Sequence, residues 1–126
     1  MLYMDISDEK FEHMIAWAVD RTPSIYKDRL QNVAFVLEDE PSEEQRQKLQ
    51  LGDDQSLFGL YEGVPLPLRN GTVKILPDKI TLFKNPLLSI SRNEEELREN
   101  IRHTVWHEVA HYFGLDHKRI HELDSN

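Results

Sequence analysis

Residues 107–117 read His-Glu-Val-Ala-His-Tyr-Phe-Gly-Leu-Asp-His, and their types and spacing fit metal chemistry. On a helix, residues four apart lie about 40° from one another round the axis and one turn apart in height. His107 and His111 can therefore present two imidazoles to one cation, at the roughly 2.0–2.1 Å of a Zn–N bond. Glu108 lies about 100° round from His107. There its carboxylate reaches a water at the metal rather than the metal itself, the position of a general base. A third ligand from the same segment requires the helix to stop. Gly114 allows this, because glycine takes the left-handed conformation past a helix end without a Cβ clash, and the chain can then swing His117 back toward the first two ligands. Three neutral imidazoles with one open position make a catalytic zinc site, one ion per chain, and not a closed structural one. For the third position His117 fits the spacing best and Asp116 comes second. Glu122 or His121 would reach it only if the last helix folds back. Requiring Gly114 and His117 as well as the histidine pair makes coincidence about five-hundred-fold rarer on this composition. An amphipathic helix with merely solvated histidines is the weaker reading.

The element that positions these residues starts at Asn93. Asn93-Glu94-Glu95-Glu96 places a capping side chain three residues before a glutamate and three acids at the positive end of the helix dipole. Leu97, Ile101, Val105 and Val109 form an apolar ridge at four-residue spacing. Val105 and Val109 each lie about 160° from His107 on the helical wheel, so one face anchors in the core while the opposite face meets a cleft. His103, one turn before His107, is expected to wall the cleft rather than to bind the ion. Beyond Gly114, residues 116–123 suggest a final short helix.

Upstream, 7–20 reads as a helix with Ser7 as N-cap and a stripe of Phe11, Met14, Ile15, Ala18 and Val19. Thr22-Pro23 ends it. His13 is read as a surface residue and Trp17 as packing. Val33–Glu38 is a short run of strand formers. A short surface helix is expected over 41–50, with Pro41 in its first turn, and the acids of 38–44 read as a solvated charge run. Leu57–Glu62 suggests a second strand in which Gly59 permits a bulge or a close backbone approach. Val64–Leu68, with two prolines, reads as extended loop or sheet edge. Asn70-Gly71 is a tight-turn signal, and Val73–Leu76 pairs with Lys79–Phe83 as a candidate hairpin through Pro77-Asp78.

With 126 residues, the chain is long enough to bury a core as one domain. It has no cysteine, which removes disulfides and thiolate ligands and leaves His, Asp and Glu as metal donors. The 15 basic and 23 acidic residues give a net charge of −8, which disfavours nucleic acid as a partner, since phosphate binding draws on Lys and Arg. Met1-Leu2-Tyr3-Met4-Asp5 carries neither a basic nor an apolar leader pattern, and no run of about 18 apolar residues exists to cross a membrane. No membrane association is expected, and the cytoplasm is the expected compartment.

At His107-Glu108-x-x-His111-x-x-Gly114-x-x-His117 the chain resembles zincin metallopeptidases, including the extended metzincin pattern, although no Met follows His117 to supply a methionine turn. It is most similar to the small bacterial family of minimal zincin-like metallopeptidases. That resemblance runs through Phe35-Val36-Leu37-Glu38-Asp39-Glu40-Pro41, Gly59-Leu60-Tyr61-Glu62-Gly63-Val64-Pro65-Leu66, Leu76-Pro77-Asp78-Lys79-Ile80-Thr81-Leu82-Phe83 and the ligand helix up to Leu123. It implies an α+β, zincin-like fold with a small mixed sheet packed against a long active-site helix, a zinc cofactor, and a peptide or protein substrate. It further implies that an edge strand of the sheet binds an extended peptide above the metal, with Ile80–Phe83 as the candidate strand. Two alternatives stand beside a zinc peptidase. One is a non-catalytic zinc-binding or interaction domain on the same scaffold, against which the intact Glu108 argues. The other is a metal-dependent endoribonuclease, because bacterial ribosomal-RNA maturation enzymes resemble this segment, down to an Asp-His pair like Asp116-His117. In that family the position of Glu108 is usually not Glu, and the net charge opposes RNA.

Overall fold

A computed structural model describes residues 4–52, 57–64, 67 and 77–124, without the side chains of His117 and Asp124. In chain order the elements are α1 (Asp8–Asp20), α2 (Ser24–Lys27), β1 (Val33–Glu38), α3 (Glu43–Lys48), β2 (Gly59–Glu62), β3 (Asp78–Phe83), α4 (Lys84–Ser89), α5 (Glu94–Tyr112) and α6 (His117–Asp124). The three strands form one mixed sheet, β1-β3-β2, with β1 parallel and β2 antiparallel to β3. This is an α+β arrangement, with the sheet packed on the long helix α5.

Local chemistry explains where the helices begin. Ser7 caps α1 by accepting from the Lys10 N–H at 3.1 Å. Asn93 caps α5 by accepting from the Glu96 N–H at 2.8 Å. α3 starts two residues later than expected. Ser42 is its N-cap, Ser42 and Gln45 complete a reciprocal capping box, and Pro41 stands outside the helix. Two short helices carried no readable periodicity: α2, a single turn after Pro23, and α4, which follows β3 directly and holds Pro86 within its first turn, where no backbone donor is needed.

The ridge of α5 behaves as its spacing predicts. Leu97, Ile101, Val105 and Val109 are fully buried, together with Phe11, Met14 and Ala18 of α1 and with Ile80 and Leu82 of β3. Burying one such side chain stabilises by about 1.5–3 kcal/mol, so this seam holds the ligand-bearing helix in place. His13 is exposed, and Trp17 packs on the edge of the core with the Arg21 guanidinium 4.4 Å above its ring.

β3 departs from the sequence reading. It is the central strand, with both edges occupied by neighbours, so Ile80–Phe83 cannot receive a peptide by strand addition. Its burial is the reason: five of its six residues are buried, and a strand covered on both faces belongs in the middle of a sheet. Among the described residues, the strand that lies beside α5 and pairs with β3 on one side only is β2. Val73–Leu76 and Asn70-Gly71 lie outside the described residues, so of the expected hairpin only the Lys79–Phe83 arm is seen, within β3.

Candidate metal centre

The last two turns of α5 carry the cluster. His107 and His111 are half-buried and meet edge-to-face with ring centroids 4.6 Å apart. Each of His107, Glu108 and His111 offers a ligand atom, and these atoms all lie within 4.8 Å of one another. Two imidazoles at that spacing, in a chain without thiols, suit two positions of a zinc ion, and the carboxylate stands close enough to reach a water there. The residues fit the metal.

Glu108 is 6% exposed, unusual for a carboxylate, and its burial is compensated. Its Oε1 accepts the Tyr61 backbone N–H at 3.0 Å and stands 3.1 Å from His111 Nδ1. With Nδ1 donating to the Glu108 carboxylate, the neutral His111 ring keeps its lone pair on Nε2 for a ligand bond. The same Glu108 contact raises the pKa of His111 above its ordinary value, against the opposing effect of burial.

β2 supplies the other wall. Phe58 accepts the Phe83 N–H at 2.9 Å, which sets the ladder so that Gly59 and Tyr61 turn their backbone groups away from β3 and toward α5. Gly59 makes the approach possible. A Cβ there would stand 2.5 Å from Thr104 Cγ2 and 3.3 Å from Glu108 Cγ. The close approach anticipated at this glycine is therefore real, and its purpose is to bring Tyr61 onto Glu108. Tyr61 is held in turn by its hydroxyl, which donates to the buried Asp78 at 2.6 Å. This link joins residues far apart in the chain and leaves no local signature, so the sequence did not reveal it. A cavity of about 330 Å³ opens between the walls, lined by Phe58, Gly59, His103, Thr104, His107 and Glu108 among others. His103 is thus a cleft-wall residue, as expected.

α5 ends as Gly114 requires. Gly114 has φ +71°, its N–H returns to the His111 carbonyl at 3.0 Å, and the Leu115 N–H returns to the Ala110 carbonyl at 3.1 Å. α6 then starts at His117, whose side chain lies outside the described residues. Asp116, the second candidate for the third ligand, accepts the Arg119 N–H at 2.8 Å on Oδ1 and so caps α6. Glu122 stands beside Arg119 at 3.5 Å, and His121 is exposed. Trp106 fastens the helix to α5 through its Nε1–H, donated to the Ile120 carbonyl at 3.3 Å. Among the described residues no helix is long and apolar enough to cross a membrane.

The sequence model of the zincin-like metallopeptidase family matches residues 30–126, a span that contains the whole sheet, the ligand helix and α6. No curated protein matches the chain significantly. The fold, the buried glutamate between two histidines and the family match converge: the chain belongs to the zincin-like metallopeptidases.

Proposed function

We propose that the protein is a zinc-dependent peptidase in which His107, His111 and His117 hold one ion and Glu108 is the general base. The observation that carries this reading is the buried Glu108 carboxylate, fixed by the Tyr61 N–H between the histidine pair and the cleft. Zinc held there would polarise a scissile carbonyl and bring water toward a pKa of about 7. Glu108 takes a proton from the attacking water and returns it to the leaving amine. Oε1 of Glu108 accepts the Tyr61 N–H and stands beside His111 Nδ1, and we assign the proton exchange to its other oxygen, Oε2. The outward backbone of Gly59, next to the Tyr61 N–H that is taken by Glu108, aligns an extended peptide or protein substrate beside the histidines, in place of the strand expected from the sequence.

The test is a panel of unfolded proteins and fluorogenic peptides, with zinc measured by elemental analysis. Wild type is expected to hold about one zinc per chain and to cleave. Glu108→Gln should keep its zinc and lose about 10²–10⁴-fold in rate, while His117→Ala should lose zinc itself. A Glu108→Gln protein that keeps its metal and its full hydrolytic rate would remove Glu108 from the reaction.

A further inference from the structure

On the edge of the sheet away from β2, β1 is bonded among the described residues to β3 on one side only. The Asp78 N–H donates to the Asn32 carbonyl at 2.9 Å, which fixes the alternation of this parallel ladder. Ala34 and Val36 turn their backbone groups toward β3, and Val33, Phe35 and Leu37 turn theirs away. Among the described residues no hydrogen bond reaches those outward groups of Val33, Phe35 and Leu37. The usual protections of an open edge are missing as well: residues 33–37 contain no Pro, no Gly and no charge. All six residues of β1 are only half-buried.

α1 runs alongside without closing the gap. A groove of about 590 Å³ lies between the two elements, with Ile15, Ala16 and Val19 of α1 facing β1. Among the described residues its charged lining is two carboxylates, Glu12 and Asp20, both exposed. Asp20 meets Lys27 at 3.2 Å, whereas Glu12 has no ion pair among the described residues. We infer that this edge is a docking site for an extended segment of a partner protein, with alternating apolar residues and a basic residue to meet Glu12, which adds to the sheet beside β1. Open N–H and C=O groups supply the affinity of strand addition, and the groove beneath them accepts every second side chain. Self-pairing is disfavoured by charge. A second copy entering the same edge would carry its own Glu12 and Asp20 into the joint, on a chain of net charge −8, where like charges oppose association.

The probe is a labelled Lys-Val-Thr-Val-Thr-Val-Lys peptide, followed by fluorescence anisotropy on the full chain carrying Glu108→Gln, so that the probe survives. Saturable binding is expected, weakened about tenfold or more by Glu12→Lys and by Ala16→Arg, lost when the peptide is N-methylated throughout, and indifferent to zinc. Both substitutions sit on the exposed side of a helix and leave the ladder intact, which circular dichroism verifies. Three results would overturn the inference: no saturation, equal binding of the N-methylated peptide, or binding that ignores Ala16→Arg but responds to zinc removal, which places the peptide in the metal cleft. A sedimenting dimer that Ala16→Arg dissociates would also overturn it, by making this edge an interface between copies. Because binding is read without turnover, a failure here is separate from a failure of the peptidase reading.

Discussion

Gly59 shows how much of this cleft rests on a single missing methyl group. Thr104, the atom a Cβ would strike, is itself tied by its hydroxyl to the Asn100 carbonyl at 2.8 Å, so it cannot turn aside cheaply. Gly59→Ala must therefore move β2 off α5 and stretch the Tyr61–Glu108 bond. We expect it to cost about 1–3 kcal/mol, the usual cost of overpacking, and to lower the rate while zinc remains bound. Thermal melts and elemental analysis check this together. An unchanged melt would show that the strand has slack the geometry does not suggest. Tyr61 belongs to the same argument, because its contribution to Glu108 is made by its backbone and survives a change of side chain, whereas its hydroxyl bond to Asp78 does not. At this scale the sequence was informative about side chains with metal chemistry and about Gly59. It was silent about Tyr61, whose role is carried by a backbone N–H that every residue but proline possesses.

Among the elements, the turn from α5 into α6 decides whether a third ligand can exist. Gly114 sits at φ +71°, and a Cβ there would stand 3.0 Å from Pro67 Cγ, so alanine meets backbone strain and a close neighbour at once. Strain of this kind costs about 1–3 kcal/mol. Gly114→Ala is expected to destabilise the chain by that order and, by turning α6, to weaken zinc binding in competition with a chelating dye. Unweakened zinc binding would remove α6 from the site. Caps and ridges were legible here because they are local: Ser7, Asn93 and the Leu97–Val109 spacing each act within a turn or two of chain. α2 and α4 were not, because a helix of one or two turns has no period to read and takes its stability from what it packs on.

In the whole molecule, zinc bound as proposed would compete with protons for one imidazole, that of His111. The Glu108 carboxylate raises the His111 pKa. In metal-free protein, the stabilisation this pair gives is therefore fully present below the unfolded value of about 6.5 and lost as pH rises through the folded one. Zinc needs the neutral ring, so the stabilisation it adds runs the opposite way, growing as pH rises through the same range. Calorimetry should show a metal-free melting temperature that falls across that range and a zinc-induced increment that rises. Two parallel curves would mean that His111 does not ligate. The sheet order belongs to this scale too. From the sequence, Ile80–Phe83 was readable as a strand but not as the middle one, since periodicity reports which faces of a segment are covered and not which neighbours cover them. The sequence by itself pointed to the candidate ligand pair, the general-base candidate, the helix that presents them and the glycine that ends it, because each follows from spacing along one continuous segment. Only the tertiary structure decided that β2 walls the cleft, that the Tyr61 N–H anchors Glu108 and that the Tyr61 hydroxyl meets Asp78. Those are contacts between side chains and backbone groups whose meeting depends on how distant segments pack, and no local pattern encodes them.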